Sequence, residues 1–167
     1  MTLEYFLNKY NTEENFRKLF IFITLPIFLI MFFSSNQFGI CWDELHIAGN
    51  VAKHPQFSTL SKAIISPYKE QTIRLEQMLP KDWEIDTVDS FQGNEKDVIY
   101  ISLVRSNTES NIGFLRDVRR MNVALTRARH QLVVVGDAAT LAKDPFYAQF
   151  IQYCEDNKFY HTAWEWM

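Results

Sequence analysis

Cysteine, histidine and glycine are sparse in this chain, and each shortage excludes a class of chemistry. The two cysteines, Cys41 and Cys154, are far apart and form no CxxC pair, so a reduced, cytoplasmic protein is the simplest reading. The four histidines, His46, His54, His130 and His161, show no ligand spacing with each other or with the cysteines; no metal site is expected. Five glycines are present, Gly39, Gly49, Gly93, Gly113 and Gly136, and none is followed by lysine. The glycine-rich turn that ends in Lys and Ser or Thr and cradles a nucleotide's phosphates is therefore missing. Positive charge is not in excess either: 17 Lys and Arg against 20 Asp and Glu leave a formal net charge of -3. That excludes a globally basic coat for nucleic acid but leaves room for a local patch. What is there in quantity is apolar surface, 47% of the 167 residues, enough for one packed domain with some chain to spare.

Composition divides the chain in two. From Leu19 to Phe33 it is apolar except for Thr24 and Pro26, with Arg17 and Lys18 before it and the polar run Ser34 to Gln37 after it. A bilayer-spanning helix needs about 20 apolar residues, so this run is short, and it has no small-residue cleavage site of the signal-peptide kind. Three readings stay open: a short or tilted membrane anchor, a buried core segment, or a stretch that does not belong to the domain that follows, as in a truncated or frame-shifted gene. The third is preferred. A run apolar on all sides needs protein on all sides, and the basic residues before a true span would send the rest of the chain to the outer side. Residues 1–61 are thus expected to be an unrelated apolar N-terminal segment, and 62–167 the functional domain.

From Lys62 onward the pattern is α/β. Ala63 to Ile65 is a short apolar strand; Ser66-Pro67 is a helix cap followed by a first-turn proline; a helix is predicted over 68–79, ending at Pro80. Strands are predicted over 85–88 and 98–104, then a polar loop over 105–116, a helix over 117–128, and a buried strand over 132–135 running into the turn Gly136-Asp137. Asp144-Pro145 repeats the cap-then-proline signal ahead of a helix ending near Cys154. Strands that alternate with helices imply a parallel sheet with right-handed crossovers.

Ligands of open α/β sheets bind outside the carboxyl ends of the strands, and two segments are expected to put chemistry there. In Thr87 to Asp97, Gly93 allows close backbone approach, Thr87, Ser90 and Gln92 can bond phosphate or sugar, and Glu95 can accept from ribose hydroxyls; a plain turn with a solvated acidic edge explains the same residues. In Arg119 to Arg129, read as one helix, Val123 and Arg127 share a face, as do Arg120 and Arg127. Five arginines between Arg116 and Arg129 stand against one acid, Asp117, and arginine's planar fork suits phosphate oxygens.

On these residues the chain resembles a known family. Ile64 to Gln71 is similar to helicase motif IV, Thr87 to Asn107 to motif V, and Arg119 to Arg129 to motif VI. Together, over about 62–167, they resemble the second, C-terminal RecA-like domain of superfamily 1 DNA/RNA helicases of the nonsense-mediated-decay helicase type. The resemblance implies a P-loop NTPase-like architecture without the P-loop, facing a cleft that holds ATP with Mg2+ only in combination with a separate N-terminal, P-loop-bearing helicase domain. It implies that Arg127 is the arginine finger with Arg129 beside it, that Gly93 and Glu95 lie near the nucleotide, and that Ser66, Pro67, Tyr68, Thr87 and Ser90 face or support a single strand of DNA or RNA. The acids in Ile40-Cys41-Trp42-Asp43-Glu44 imitate a Mg2+ site but no P-loop precedes them, and the family's tyrosine-and-arginine motif before motif IV is absent. The expected function is therefore half of an ATP-dependent helicase, inactive alone. The alternative is a non-catalytic module that binds single-stranded nucleic acid or protein, anchored to a membrane in one version through 19–33.

Overall fold

The computed structural model describes residues 17–23, 60–107 and 109–162. Strands β1 (Arg17–Ile23), β2 (Lys62–Ser66), β3 (Glu84–Thr87), β4 (Lys96–Ser102), β5 (Ala128–Asp137) and β6 (Tyr160–Thr162) alternate with helices α1 (Lys69–Met78), α2 (Val118–Leu125), α3 (Ala138–Leu141) and α4 (Pro145–Asp156). They form one six-stranded sheet in the order β3-β2-β4-β5-β1-β6, and every pairing is parallel.

The core follows from strand periodicity. Alternate residues Ala63 and Ile65, Ile99 and Ile101, Leu132 and Val134 point to one face and pack under Met121, Ala124 and Leu125 of α2 and Tyr147, Phe150, Ile151 and Cys154 of α4. The residues between them, Ile64, Val98, Tyr100, Val133 and Val135, are buried too. A parallel sheet covered on both faces needs such continuous apolar strands.

The sheet is wider than the expected domain. Arg17–Ile23, inside the stretch that composition set apart, pairs in register with Gln131–Asp137 of β5 and carries β6 on its other side. An inner parallel strand is apolar on both faces, so Leu19–Ile23 reads the same way as the start of a membrane run. The rest of the apolar run and the acids Asp43 and Glu44 lie outside the described residues. Among the described residues no helix is long and apolar enough to cross a membrane.

Helix ends differ from the expectation in ways that matter for the site. Ser66 does not cap α1: Tyr68 is the N-cap, in extended conformation, and Pro67 precedes it. The Ser66 hydroxyl is fully buried, accepts from the Tyr68 N–H (3.3 Å) and bonds the Gln71 side chain, whose Nε2 reaches Ser102 Oγ at 2.8 Å. Asp117 is the cap of α2 rather than its first residue, its carboxylate accepting from the Arg119 N–H. That helix stops at Leu125, because Ala128 must enter the sheet opposite Lys96. The Thr126 hydroxyl and Arg127 Nε both turn back to the Val123 carbonyl, at 2.8 and 3.0 Å, and satisfy the open helix end. The cap-then-proline reading holds at Asp144, which accepts from the Phe146 N–H with Pro145 at the first helical position.

At the amino ends of β2 and β4, the Ser61 hydroxyl (2.7 Å) and N–H (3.0 Å) donate to the Asp97 carboxylate. These bonds, the hydroxyl first, hold the Asp97 carboxyl below the ordinary carboxylate range against its partial burial, with His130 and Arg129 adding to the same direction. A depressed carboxylate stabilises the fold above its unfolded pKa and loses that contribution as pH falls through the folded value. Ser61→Ala is therefore expected to raise the Asp97 pKa, read by carboxyl-carbon NMR titration. The stability gap between the two proteins should be largest at neutral pH and shrink in the acid range; an equal gap at neutral and strongly acid pH would contradict this.

Candidate functional site

The motif residues divide between the two ends of the sheet, which corrects the expectation that both segments gather at the carboxyl ends. At the carboxyl end, Ser66 and Thr87 are register partners on β2 and β3. Pro67 and Tyr68 follow Ser66, and the Thr87 hydroxyl meets the Ser90 hydroxyl at 3.1 Å in the turn after β3. Ser66 is buried within the Gln71 and Ser102 network, so it supports this surface rather than facing a ligand. Pro67 and Tyr68 are half-buried and Ser90 is exposed.

At the amino end, Glu95 precedes β4, and Arg127 and Arg129 flank the start of β5, where the Lys96 N–H donates to the Arg127 carbonyl (3.1 Å). Arg129 Nε lies 3.5 Å from Glu95 Oε2, both side chains about half exposed. Such a screened pair contributes little to stability and leaves both groups open to a ligand. Arg129 is on a strand, not on the motif VI helix. Arg127 is half-buried; its Nε bonds Val123 O and its Nη2 bonds Thr126 Oγ1 at 3.0 Å, and no carboxylate pairs with it among the described residues. Gly93 sits in left-handed backbone at φ +91°, with open space where a side chain would be; its conformation, not crowding, requires glycine there.

Two connections join these ends. The segment from Val88 to Glu95 leaves the carboxyl end of β3 and arrives at the amino end of β4. Helix α2, 8 residues and so about 12 Å long, runs the same way. They meet at the carboxyl end, where Arg120 Nε lies 3.3 Å from Asp89 Oδ1 and 3.4 Å from Asp117 Oδ2. The Arg120 guanidinium also caps the Phe114 ring at 4.3 Å. Sequence reasoning singled out Arg120 but missed Asp89 and Phe114, since nothing in the spacing shows that a loop acid and a loop aromatic close on one helix residue. Among the described residues no group of three or more His, Cys, Asp or Glu side chains is arranged to hold a metal ion.

The family model for the AAA domain matches residues 45–139. The chain belongs to that family. DNA polymerase alpha-associated DNA helicase A of Saccharomyces cerevisiae is 46% identical over 104 residues, 58% of this chain and 15% of that protein. Regulator of nonsense transcripts 1 of Dictyostelium discoideum is 48% identical over 92 residues, 55% of this chain and 7% of that protein. The chain thus spans 15% or less of these curated relatives. The crystal structure of the C-terminal domain of a possible DNA helicase from Lactobacillus plantarum WCFS1 aligns with a TM-score of 0.51 at 12% identity, covering 95% of this chain and 92% of that one; this likeness shows the fold. This AAA-family chain has the RecA-like α/β fold of that helicase C-terminal domain, and over its C-terminal part it is similar to curated helicases, among them the regulator of nonsense transcripts. Its matched region includes the whole of the Val88 to Glu95 connection and α2, so the two ends of the sheet and the link between them all fall within the family's domain.

Because the space around Gly93 is open, its substitution tests backbone strain alone. Gly93→Ala is expected to cost about 1 to 2 kcal/mol, and Gly93→Asn less. Urea denaturation of both variants checks this; an Ala variant as stable as the parent would remove the conformational role given to Gly93.

Proposed function

We propose that this domain supplies one wall of an ATP site and part of a single-strand surface in an ATP-dependent helicase, working with a separate P-loop-bearing domain. The observation that carries the reading is Arg127, a half-buried guanidinium at the amino end of the sheet with no acid partner among the described residues. A cation held that way fits phosphate oxygens, and it stands beside Glu95, whose carboxylate is half exposed and suited to ribose hydroxyls. ATP with Mg2+, held by the P-loop-bearing domain, supplies the phosphoryl group whose hydrolysis drives the enzyme. Arg127, bonded here to Val123 and Thr126, would face the γ-phosphate and offset negative charge there. Arg129 adds to the positive field, and Gly93 lets the backbone of its turn approach the nucleotide.

At the other end, Tyr68, Thr87 and Ser90 meet the single strand, backed by Ser66 and Pro67. The Val88 to Glu95 connection and α2 join the two ends, so a shift at Arg127 reaches the strand surface through short, packed elements. This gives the domain a route for coupling hydrolysis to movement along DNA or RNA.

A second reading has one observation in its favour: Ser66, Thr87 and Ser90 lie together at one end of this chain's own sheet. The domain would then hold a strand without chemistry.

An arginine finger contributes about a thousand- to a hundred-thousand-fold in rate, roughly 4 to 7 kcal/mol of barrier. In an enzyme reconstituted from this chain and a P-loop-bearing helicase domain, Arg127→Ala is expected to lower strand-stimulated ATP turnover by at least about a thousandfold and leave the circular dichroism of the chain unchanged. Turnover at the parental rate would rule out the finger, and strand binding without any turnover in the parent would favour the second reading.

A further inference from the structure

Strand β5 begins with an irregularity. Val98 to Ser102 of β4 pair in regular register with Gln131 to Val135, but Lys96 pairs with Ala128. Between these pairs the single residue Asp97 stands opposite two, Arg129 and His130. This is a one-residue bulge, rare between parallel strands and common beside active sites, where it re-aims a side chain. Arg129 and His130 are both exposed, between the buried Ala128 and Gln131, whereas a regular strand turns neighbours to opposite faces.

The bulge decides where Arg127 stands. With it, Glu95 and Arg127, the residues just before the Lys96–Ala128 pair, are level with each other. Carried back unbroken, the Val98–Gln131 register would set Arg127 level with Asn94 instead. A slip of one residue also turns each side chain to the other face. The Lys96 N–H, donating to the Arg127 carbonyl at 3.1 Å, belongs to the bulged arrangement.

Asp97 faces the bulge and is itself tied down. Its carboxylate accepts from the Ser61 hydroxyl at 2.7 Å and from the Ser61 N–H at 3.0 Å. Its own N–H donates to the Ser61 hydroxyl at 3.0 Å, and the next N–H, of Val98, to the Ser61 carbonyl at 3.0 Å. Two successive N–H groups of β4 therefore go to one residue, and the Asp97 N–H is withdrawn from β5. The other carboxylate oxygen lies 3.6 Å from His130 Nε2, while Arg129 Nε lies 3.5 Å from Glu95 Oε2. Two adjacent basic residues thus each meet an acid of the segment entering β4.

We infer that Asp97 is a positioning residue of the nucleotide site: held by Ser61, it fixes the bulge in β5 and so sets the level and the face at which Arg127 stands beside Glu95. The inference rests on the reading of Arg127 given under the proposed function. Asp97 acts on the nucleotide only through Arg127.

Two measurements test it. In the full chain, amide hydrogen exchange followed by NMR reads the register directly. Asp97→Ala is expected to lose protection at the Lys96 N–H while the amides of Ile99 and Ile101 stay protected, which also shows that the variant is folded. Protection retained at Lys96 would overturn the role of Asp97. The second measurement is strand-stimulated ATP turnover in the enzyme reconstituted with a P-loop-bearing helicase domain. Misplacing a reacting group by about 1 Å costs about a hundredfold in rate, so Asp97→Ala is expected to lower kcat by about that factor with KM for ATP little changed. Asp97→Asn, which keeps an oxygen for Ser61, should lose less, and it serves in place of the alanine variant if that one does not fold. Added to Arg127→Ala, neither substitution should lower the residual rate further. An equal loss with and without Arg127, or no loss where Arg127→Ala alone is inactive, overturns the role of Asp97 and leaves the finger standing. Parental turnover in Arg127→Ala overturns the finger and this inference with it.

Discussion

A parallel sheet can be built only if every connection returns from the carboxyl end of one strand to the amino end of another, and the rest of this molecule depends on that constraint. The return is what separates Thr87 and Ser90 from Gly93 and Glu95, though only a few residues lie between them. It also sets Arg120, in the first turn of α2, and Arg127, just beyond its end, at opposite ends of the sheet. The two clusters are far apart because the sheet lies between them. They are connected because the same segments that form them also make the crossing.

Charge is distributed to suit. Arg120 pairs with Asp89 and Asp117 where the two crossings meet. Arg129 and Glu95 form a loose, solvent-screened pair that a ligand could separate at little cost. Among the described residues Arg127 and Arg105 are half-buried without a carboxylate partner, one at each end of the sheet. A chain with a net charge of -3 therefore presents its positive charge as fixed points and not as a coat, which suits recognition of particular phosphates over general attraction to nucleic acid.

The class of fold was legible in the sequence because apolar strands punctuated by cap-and-proline signals have few other uses; the Asp144-Pro145 start of α4 was read to the residue. The edge of the domain was not, because Leu19–Ile23 as an inner strand and as the start of a membrane run have the same apolar composition. Helix α2 was read three residues too long at its carboxyl end and one at its amino end: Thr126 and Arg127 have no sequence mark that separates a helix end held by side chains from one more turn. Ser66 was read as a cap, since its place before Pro67 is ideal for one, yet burial turned its hydroxyl inward to Gln71. Arg105 left no local signature at all. Its placement comes from Tyr68, distant along the chain, from Gly113 across the following loop, and from an unusual backbone angle at Val104, which propensity would place in a strand.

The central claim is that this domain completes a nucleotide site only together with a P-loop-bearing domain. Sedimentation velocity of the full chain mixed with such a domain, with and without Mg-ADP and aluminium fluoride as a mimic of the transferring phosphoryl group, tests it directly. The account predicts association that strengthens with the mimic. It is contradicted if association is indifferent to the mimic, or if the chain alone binds Mg-ADP and fluoride tightly.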